Sequence, residues 1–278
     1  MMPVLSNHLA LPPIGYGTYN MSDEETEKAV KEALSAGYRL IDGAAFYGNE
    51  KGVGKGIAVS GISREEILVN SKVWNRDRGY EKTKAAFQKT LSDLGLAYLD
   101  LYLIHWPANT KKYGAPAIRE NQETWRALED LYMDGYIRSI GVSNFLPHHL
   151  EELAETARIM PMVDQLEIHP GWLQKEAVDY CQSRGIVVEA WAPLGRMTMA
   201  GDAAISSIAE VHGKTAAQIS LRWEIQHGIL PIPKSSHPER MRQNLSVFDF
   251  SLTEKEMTTL DALPPMGGRC FEIDEMDL

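Results

Sequence analysis

Short, nearly continuous apolar runs punctuate the chain: LIDGA, ILVNSKVW, LDLYLIHW, IRSIGVSN, MVDQLEIHP, IVVEAWAPL and ILPIPK. Each is rich in β-branched residues and bounded by Gly, Pro or Asn, the pattern of a parallel strand covered on both faces. Between them the period changes to that of a helix. In SDEETEKAVKEALSAG, Val30, Ala33, Leu34 and Gly37 fall at i, i+3, i+4 and i+7, Ser22 with Glu25 forms a capping box, and Gly37 supplies the stop. Phe87, Leu91 and Leu94 repeat the stripe before Gly95, and Thr215 with Gln218 opens another helix. With PIGYGT as the first strand, eight strands recur at roughly 30-residue spacing, most followed by a helix, which predicts an α/β fold, the (β/α)8 TIM barrel. A doubly wound sheet shares the alternation but needs a break into two domains. No Pro-, Gly- or Ser-rich linker interrupts the chain, so residues 1–278 are expected to form a single domain. The longest irregular stretch, PANTKKYGAPAIRE at residues 107–120, reads as a loop after the fourth strand.

Composition narrows the partners. Of 278 residues 44% are hydrophobic and 24% charged, which excludes a disordered or fibrous chain. Lys and Arg number 28 against 38 Asp and Glu, a net charge of -10 that repels nucleic acid and anionic membranes but leaves room for a local basic site. The start, MMPVLSNHLALPP, lacks a cationic leader, and no apolar run reaches membrane-spanning length, so a cytoplasmic location is expected. Cys181 and Cys270 are not at metal-ligand spacing, and Cys181 fits a small buried thiol.

Polar residues gather at the C-terminal ends of the runs: Asp42 and Tyr47, Lys72, His105, Ser143 and Asn144, Gln165, and Lys234. In a barrel those ends surround one mouth, where active sites of this fold are built. A tyrosine with an ordinary pKa of about 10 is a sluggish acid at neutral pH, and a neighbouring ammonium lowers that value. Lys72 can supply the charge, Asp42 can hold Lys72 in place, and His105 can orient a carbonyl oxygen. Such a set protonates an alkoxide as it forms, and the hydride must come from a nicotinamide cofactor. The usual dinucleotide fingerprint is absent, because GVGKG at 52–56 lacks the third glycine at the right spacing. The C-terminal third offers an alternative: Trp191 presents a flat face, APLG at 192–195 offers backbone amides, and PKSSHPERMRQN places Lys234 and Arg240 near a helix start suited to an anion.

These segments, with GYGTY, IGVSNF and WAPLG in order, resemble the aldo-keto reductase family over essentially the whole chain, and within it a compact microbial subgroup that includes 2,5-diketo-D-gluconate reductases and protozoan prostaglandin F synthases. The resemblance implies NADPH-dependent reduction of small aldehydes and ketones, α-dicarbonyls and keto-sugars among them, by a monomer. It implies a catalytic tetrad of Asp42, Tyr47, Lys72 and His105, with Tyr47 as proton donor. Trp191 would stack on the nicotinamide, and Ser143, Asn144 and Gln165 would bond its carboxamide. Gly17, Thr18 and the segment Ala192, Pro193, Leu194 and Gly195 would line the NADPH/NADP+ site. Lys234, Ser235 and Arg240 would hold the 2′-phosphate, and Gln243 and Asn244 the adenine. Tyr19, Trp74 and Trp106 would wall the substrate pocket. Two positions depart from the family pattern: Gly43 replaces a threonine, which is expected to loosen the strand beside Asp42, and Asp164 replaces an asparagine, on the strand face opposite Gln165. The short tail ending FEIDEMDL suggests an open pocket.

Rival chemistries fit less well. GKT at 213–215 and GKG at 54–56 both miss a residue of the phosphate-loop motif. The histidines show no metal-binding spacing beyond His148-His149 at a helix start, so no metal is expected. A non-enzymatic or redox-sensing NADP-binding protein of the same fold is the alternative to an enzyme.

Overall fold

The computed structural model describes residues 2–265 and 273–275; Cys270 and most of the tail read above lie outside the described residues. Its centre is a parallel sheet of eight strands in sequence order. They are β1 (Tyr16–Gly17), β2 (Leu40–Asp42), β3 (Leu68–Val73), β4 (Leu101–Ile104), β5 (Ile140–Ser143), β6 (Val163–Glu167), β7 (Val187–Trp191) and β8 (Leu230–Pro231). All eight fall within the runs expected to form them. The helices are α1 (Asp23–Ala36), α2 (Glu50–Ala58), α3 (Tyr80–Leu94), α4 (Thr110–Tyr113), α5 (Ala115–Met133), α6 (Pro147–Ala154), α7 (Lys175–Ser183), α8 (Ala203–His212), α9 (Ala216–Gln226), α10 (Pro238–Leu245) and α11 (Glu254–Asp261). Gly15 N–H donates to Pro231 O at 2.9 Å and Gly17 N–H to Pro233 O at 3.1 Å, so backbone hydrogen bonds also join the first strand to the last.

The caps form as read. Ser22 and Glu25 make a reciprocal box on α1, Gly37 ends that helix at φ 118°, and Thr215 with Gln218 caps α9. The stretch 107–120 departs from expectation: Asn109 caps α4, Gly114 turns the chain at φ 59°, and α5 starts at Ala115. Pro116 lies in the first turn of α5, where its missing N–H is not needed, so it opens the helix rather than breaking it.

Period two decides what each strand presents. On β3, Ser71 turns outward and donates to Glu50 of α2 at 2.6 Å, while Asn70 and Lys72 both turn inward to Asp42. On β6, Asp164 faces α7, where Cys181 Sγ lies 3.7 Å from Oδ2, while Gln165 faces Asp42; the expectation that the two point oppositely holds. The inner face thus carries a layer of Asp42, Asn70, Lys72, Gln165 and Glu189, all at most 4% exposed. The glycines of GVGKG serve packing: a Cβ on Gly52 would lie 2.3 Å from Asp23 O, one on Gly54 2.0 Å from Leu94 O, and one on Gly56 2.8 Å from Glu27 O. Only bare backbone lets α2 lie this close to α1 and the end of α3.

Candidate active site

Asp42, at the end of β2, is the hub. Lys72 Nζ donates to both its carboxylate oxygens at 2.8 Å and to Gly43 O at 2.9 Å, which uses all three ammonium protons. Asp42 Oδ1 also accepts from Asn70 Nδ2 at 2.5 Å and Gln165 Nε2 at 2.9 Å, and Asp42 O accepts from Thr18 Oγ1 at 2.9 Å. Gly43 is pinned at both ends, since its N–H also donates to Asn70 O at 2.9 Å. The expected loosening is therefore not seen, and a Cβ there would meet nothing closer than 3.4 Å.

Tyr47 sits in a helical turn, Ala45–Tyr47, directly after β2. The Lys72 ammonium lies 5.3 Å from its ring centroid, and the His105 ring 5.8 Å. Tyr47 is half-buried at the site's surface, and desolvation by the groups packed around its hydroxyl pushes the phenol pKa up to about 12; Lys72 pulls against this and Asp42 adds to it. The expected lowering by Lys72 thus operates but loses to desolvation, and Tyr47 keeps its proton at neutral pH. Burial pulls the Lys72 ammonium down, yet Asp42 and Tyr47 outweigh it and the net direction is up. His105 is held well below its ordinary value by burial and by Lys72, so the ring is neutral, and its Nδ1 has no hydrogen-bond partner among the described residues.

Around this core lie the residues expected to hold cofactor and substrate. Ser143 Oγ donates to Gln165 O at 2.7 Å. Asn144, in a left-handed conformation at φ 63°, donates to His105 O and Ser143 Oγ at 3.0 Å and accepts from Trp191 Nε1 at 2.8 Å. That amide ties β4, β5 and β7 together and fixes the half-buried Trp191 ring. Ala192 has φ 48°, Pro193 O accepts from Ser220, and half-buried Leu194 precedes Gly195. The Gly195 N–H turns back to Ala192 O at 2.8 Å, so that amide is not available to a pyrophosphate. A Cβ on Gly17 would lie 3.8 Å from Lys234 Cβ, which places β1 beside the strand-eight loop. Buried Ser235 accepts at its carbonyl from Tyr16 Oη, at 2.5 Å. Lys234, Arg240 and Gln243 are exposed, and neither cation forms an ion pair among the described residues. Asn244 is buried, and beside it Tyr38 Oη donates to Met241 O at 3.2 Å. Tyr19 meets Tyr47 edge-on at 5.0 Å, Trp74 meets His105 at 5.1 Å, and Trp106 meets Trp191 at 6.3 Å.

The sequence reading missed three participants. Phe46 stacks on Trp74 at 3.9 Å and stands half exposed at the rim. Asn70 and Glu189 lie on the inner face, and period two could have found both: Asn70 is two residues before Lys72, and Glu189 two before Trp191. Burial, then Asp42, pushes the Glu189 pKa up to about 7. The site therefore sets a neutral imidazole and an ammonium–carboxylate pair beside the protonated Tyr47 phenol, a set able to donate a proton to a developing oxyanion.

A second donor cluster lies apart. His148, His149 and Asp274 bring ligand atoms within 4.8 Å of one another. The Leu146 N–H donates to His149 Nδ1 at 3.1 Å, so the neutral ring carries its proton on Nε2, toward Asp274. Lys111 pairs with Asp274, and Asn109 donates to its carbonyl at 2.9 Å. These bonds describe a clamp on the segment 273–275. No helix among the described residues is long and apolar enough to cross a membrane.

Comparison with known proteins agrees with this geometry. A glyoxal reductase of Bacillus subtilis is 50% identical over 260 residues, 93% of this chain and 91% of that protein. A 9,11-endoperoxide prostaglandin H2 reductase of Trypanosoma cruzi is 48% identical over 263 residues, 93% and 90%. The crystal structure of a Bombyx mori aldo-keto reductase in complex with NADP superposes with TM-score 0.90 at 35% identity, covering 99% of this chain and 96% of that one. The model of the aldo/keto reductase family matches residues 13–264, and with relatives this similar over nearly their whole length, the chain belongs to that family.

Proposed function

We propose that this chain reduces small aldehydes and ketones with NADPH, α-dicarbonyls and keto-sugars among them, with Tyr47 as proton donor. The observation that carries the reading is the buried Lys72–Asp42 pair set against a protonated Tyr47 and a neutral His105. Membership of a family whose members include a glyoxal reductase supports the same chemistry. The residues present fit the cofactor: Trp191 is held by Asn144 as a flat face, and Lys234 and Arg240 stand as exposed cations close to the start of α10.

In this reading Trp191, Ser143, Asn144 and Gln165 seat the nicotinamide, with Gly17, Thr18 and Ala192 to Gly195 along the dinucleotide. Lys234, Ser235 and Arg240 take the 2′-phosphate, and Gln243 and the buried Asn244 meet the adenine. NADPH, when bound, supplies the hydride. His105 orients the carbonyl oxygen without adding charge, and Tyr47 Oη delivers its proton to the oxygen as negative charge develops there. Lys72 makes the phenolate less costly, and Asp42, itself braced by Asn70 and Gln165, keeps Lys72 in position. Tyr19, Phe46, Trp74 and Trp106 form an aromatic wall suited to small, partly apolar substrates. The chain would act as a monomer, a single domain with the sheet closed as a (β/α)8 barrel; the hydrogen bonds from Gly15 and Gly17 to residues 231 and 233 support closure. A cytoplasmic location fits the free, buried Cys181 thiol. No metal role is assigned.

The deciding experiment is NADPH oxidation followed by absorbance with aldehydes, α-dicarbonyls, keto-sugars and quinones. Tyr47→Phe should lower kcat by about 10²–10⁴-fold, the usual worth of a general acid, and leave NADPH affinity nearly unchanged. Near-normal turnover in that variant would overturn the proton-donor assignment. Binding of NADPH without turnover of any carbonyl would favour a redox-sensing role instead.

A further inference from the structure

Gln165 lies buried in β6, and its single side-chain nitrogen donates twice, to Asp42 Oδ1 at 2.9 Å and to Glu189 Oε2 at 2.8 Å. An amide nitrogen has two protons, and both are spent. The acceptors are carboxyl oxygens. Turning the amide over would set its own oxygen against them, so the pair of acids decides which end of Gln165 faces them. Its Oε1 takes no hydrogen bond among the described residues and is left for a ligand. Asp42 has other duties, to Lys72, Asn70 and Thr18; the described hydrogen bonds of Glu189's side chain go only to Gln165, and its Oε1 has no partner. A fully buried carboxyl with an unbonded oxygen is a costly residue in the middle of the apolar strand VVEAW.

We infer that Glu189 is a positioning residue which fixes the Gln165 amide so that its carbonyl oxygen meets the cofactor, and that it thereby selects a pyridine ring whose 3-substituent offers an N–H donor. The inference rests on the NADPH reading above. The nicotinamide carboxamide has such a donor. A 3-acetylpyridine ring carries a methyl ketone there, which cannot donate and would leave the Gln165 oxygen without a partner. With Glu189 replaced by glutamine, the side chain at 189 can turn its own amide nitrogen to Gln165, and the bias toward a single orientation weakens.

The test measures dissociation constants of NADP+ and its 3-acetylpyridine analogue by quenching of tryptophan fluorescence, for the unaltered chain, Glu189→Gln and Glu189→Leu. The unaltered chain should prefer NADP+ by roughly 10-fold, the scale of a buried hydrogen bond lost with its partner left unsatisfied. Glu189→Gln and Glu189→Leu should each narrow the ratio toward one, with Asp42 Oδ1 left as the remaining acceptor that orients the amide. In a Gln165→Met background the ratio should already be near one, and adding Glu189→Gln should change nothing further. A structural role alone would weaken both ligands together and leave the ratio as it was; an unchanged ratio in both Glu189 variants overturns the inference while the cofactor reading stands. Failure of the unaltered chain to bind NADP+ at all would overturn both.

Discussion

Replacing Lys72 by methionine removes a buried charge that Asp42 and Tyr47 share. Lys72 is 0% exposed, and its three hydrogen bonds go to Asp42 Oδ1, Asp42 Oδ2 and Gly43 O. Breaking one side of a buried ion pair costs about 3–5 kcal/mol, because the remaining charge is stranded. Asp42 Oδ1 keeps its donors from Asn70 and Gln165, which puts the expected loss at the lower end, about 3 kcal/mol. For a chain of this size that is a fall in Tm of roughly 6 °C. Activity should fall further than folding explains. Without the ammonium the phenol is a weaker acid, and kcat should drop by about 10²–10⁴-fold. A second substitution separates the two effects. Lys72→Met with Asp42→Asn leaves no stranded charge, so most of the lost Tm should return while kcat stays low. Thermal unfolding by circular dichroism and NADPH oxidation with one reactive aldehyde give both numbers on the same preparation. Recovery of turnover together with stability in the double variant would refute the argument and make Lys72 a purely structural cation.

Other expectations follow from the same geometry. Arg240→Ala should raise the NADPH dissociation constant roughly 10-fold, the low end for a charge-assisted bond because the site is exposed, and leave NADH binding nearly unchanged; equal losses would mean Arg240 does not meet the 2′-phosphate. Glu224 is fully buried, both its carboxyl oxygens lack a hydrogen-bond partner among the described residues, and burial drives its pKa well above 4.5. A raised folded pKa gives stability that is complete below about pH 4.5 and is lost as pH rises toward the folded value. Glu224→Gln should therefore raise Tm more at about pH 8 than at about pH 5, and equal gains would contradict the ionisation argument. Gly54→Ala, whose Cβ would sit 2.0 Å from Leu94 O, should destabilise by about 3 kcal/mol or more, whereas Gly43→Ala should be neutral or stabilising by about 0.5 kcal/mol; denaturant melts of the two would expose an error in either.

Strands and caps were legible because their signals are local. A β-branched run between glycines, or Ser22 three residues before Glu25, states its structure within one turn of chain. The start of α5 was not, because Pro116 carries two meanings that only the geometry at Gly114 separates. The gathering of Asp42, Tyr47, Lys72 and His105 could be read by placing residues at strand ends, yet the direction of the Tyr47 shift could not. That direction is a sum in which desolvation outweighs an adjacent ammonium, and burial is a property of the assembled fold. Glu189 was overlooked since an acid within IVVEAWAPL looks like a lapse in an apolar run until Gln165 is seen beside it. The glycines of GVGKG were rightly refused as a nucleotide motif, but their reason, a backbone contact with α1 and the end of α3, is tertiary and leaves no mark nearby in the sequence.

The two residues of β1 leave a ribosome long before their neighbours on one side, residues 231 and 233. A nascent chain therefore carries an unfinished edge beside Gly17 until residues 231 and 233 are made. A chain truncated before residue 230 would hold Asp42, Tyr47, Lys72 and His105 and yet have two bare sheet edges, at β1 and β7. Such a product would be expected to aggregate rather than to act as a partial enzyme.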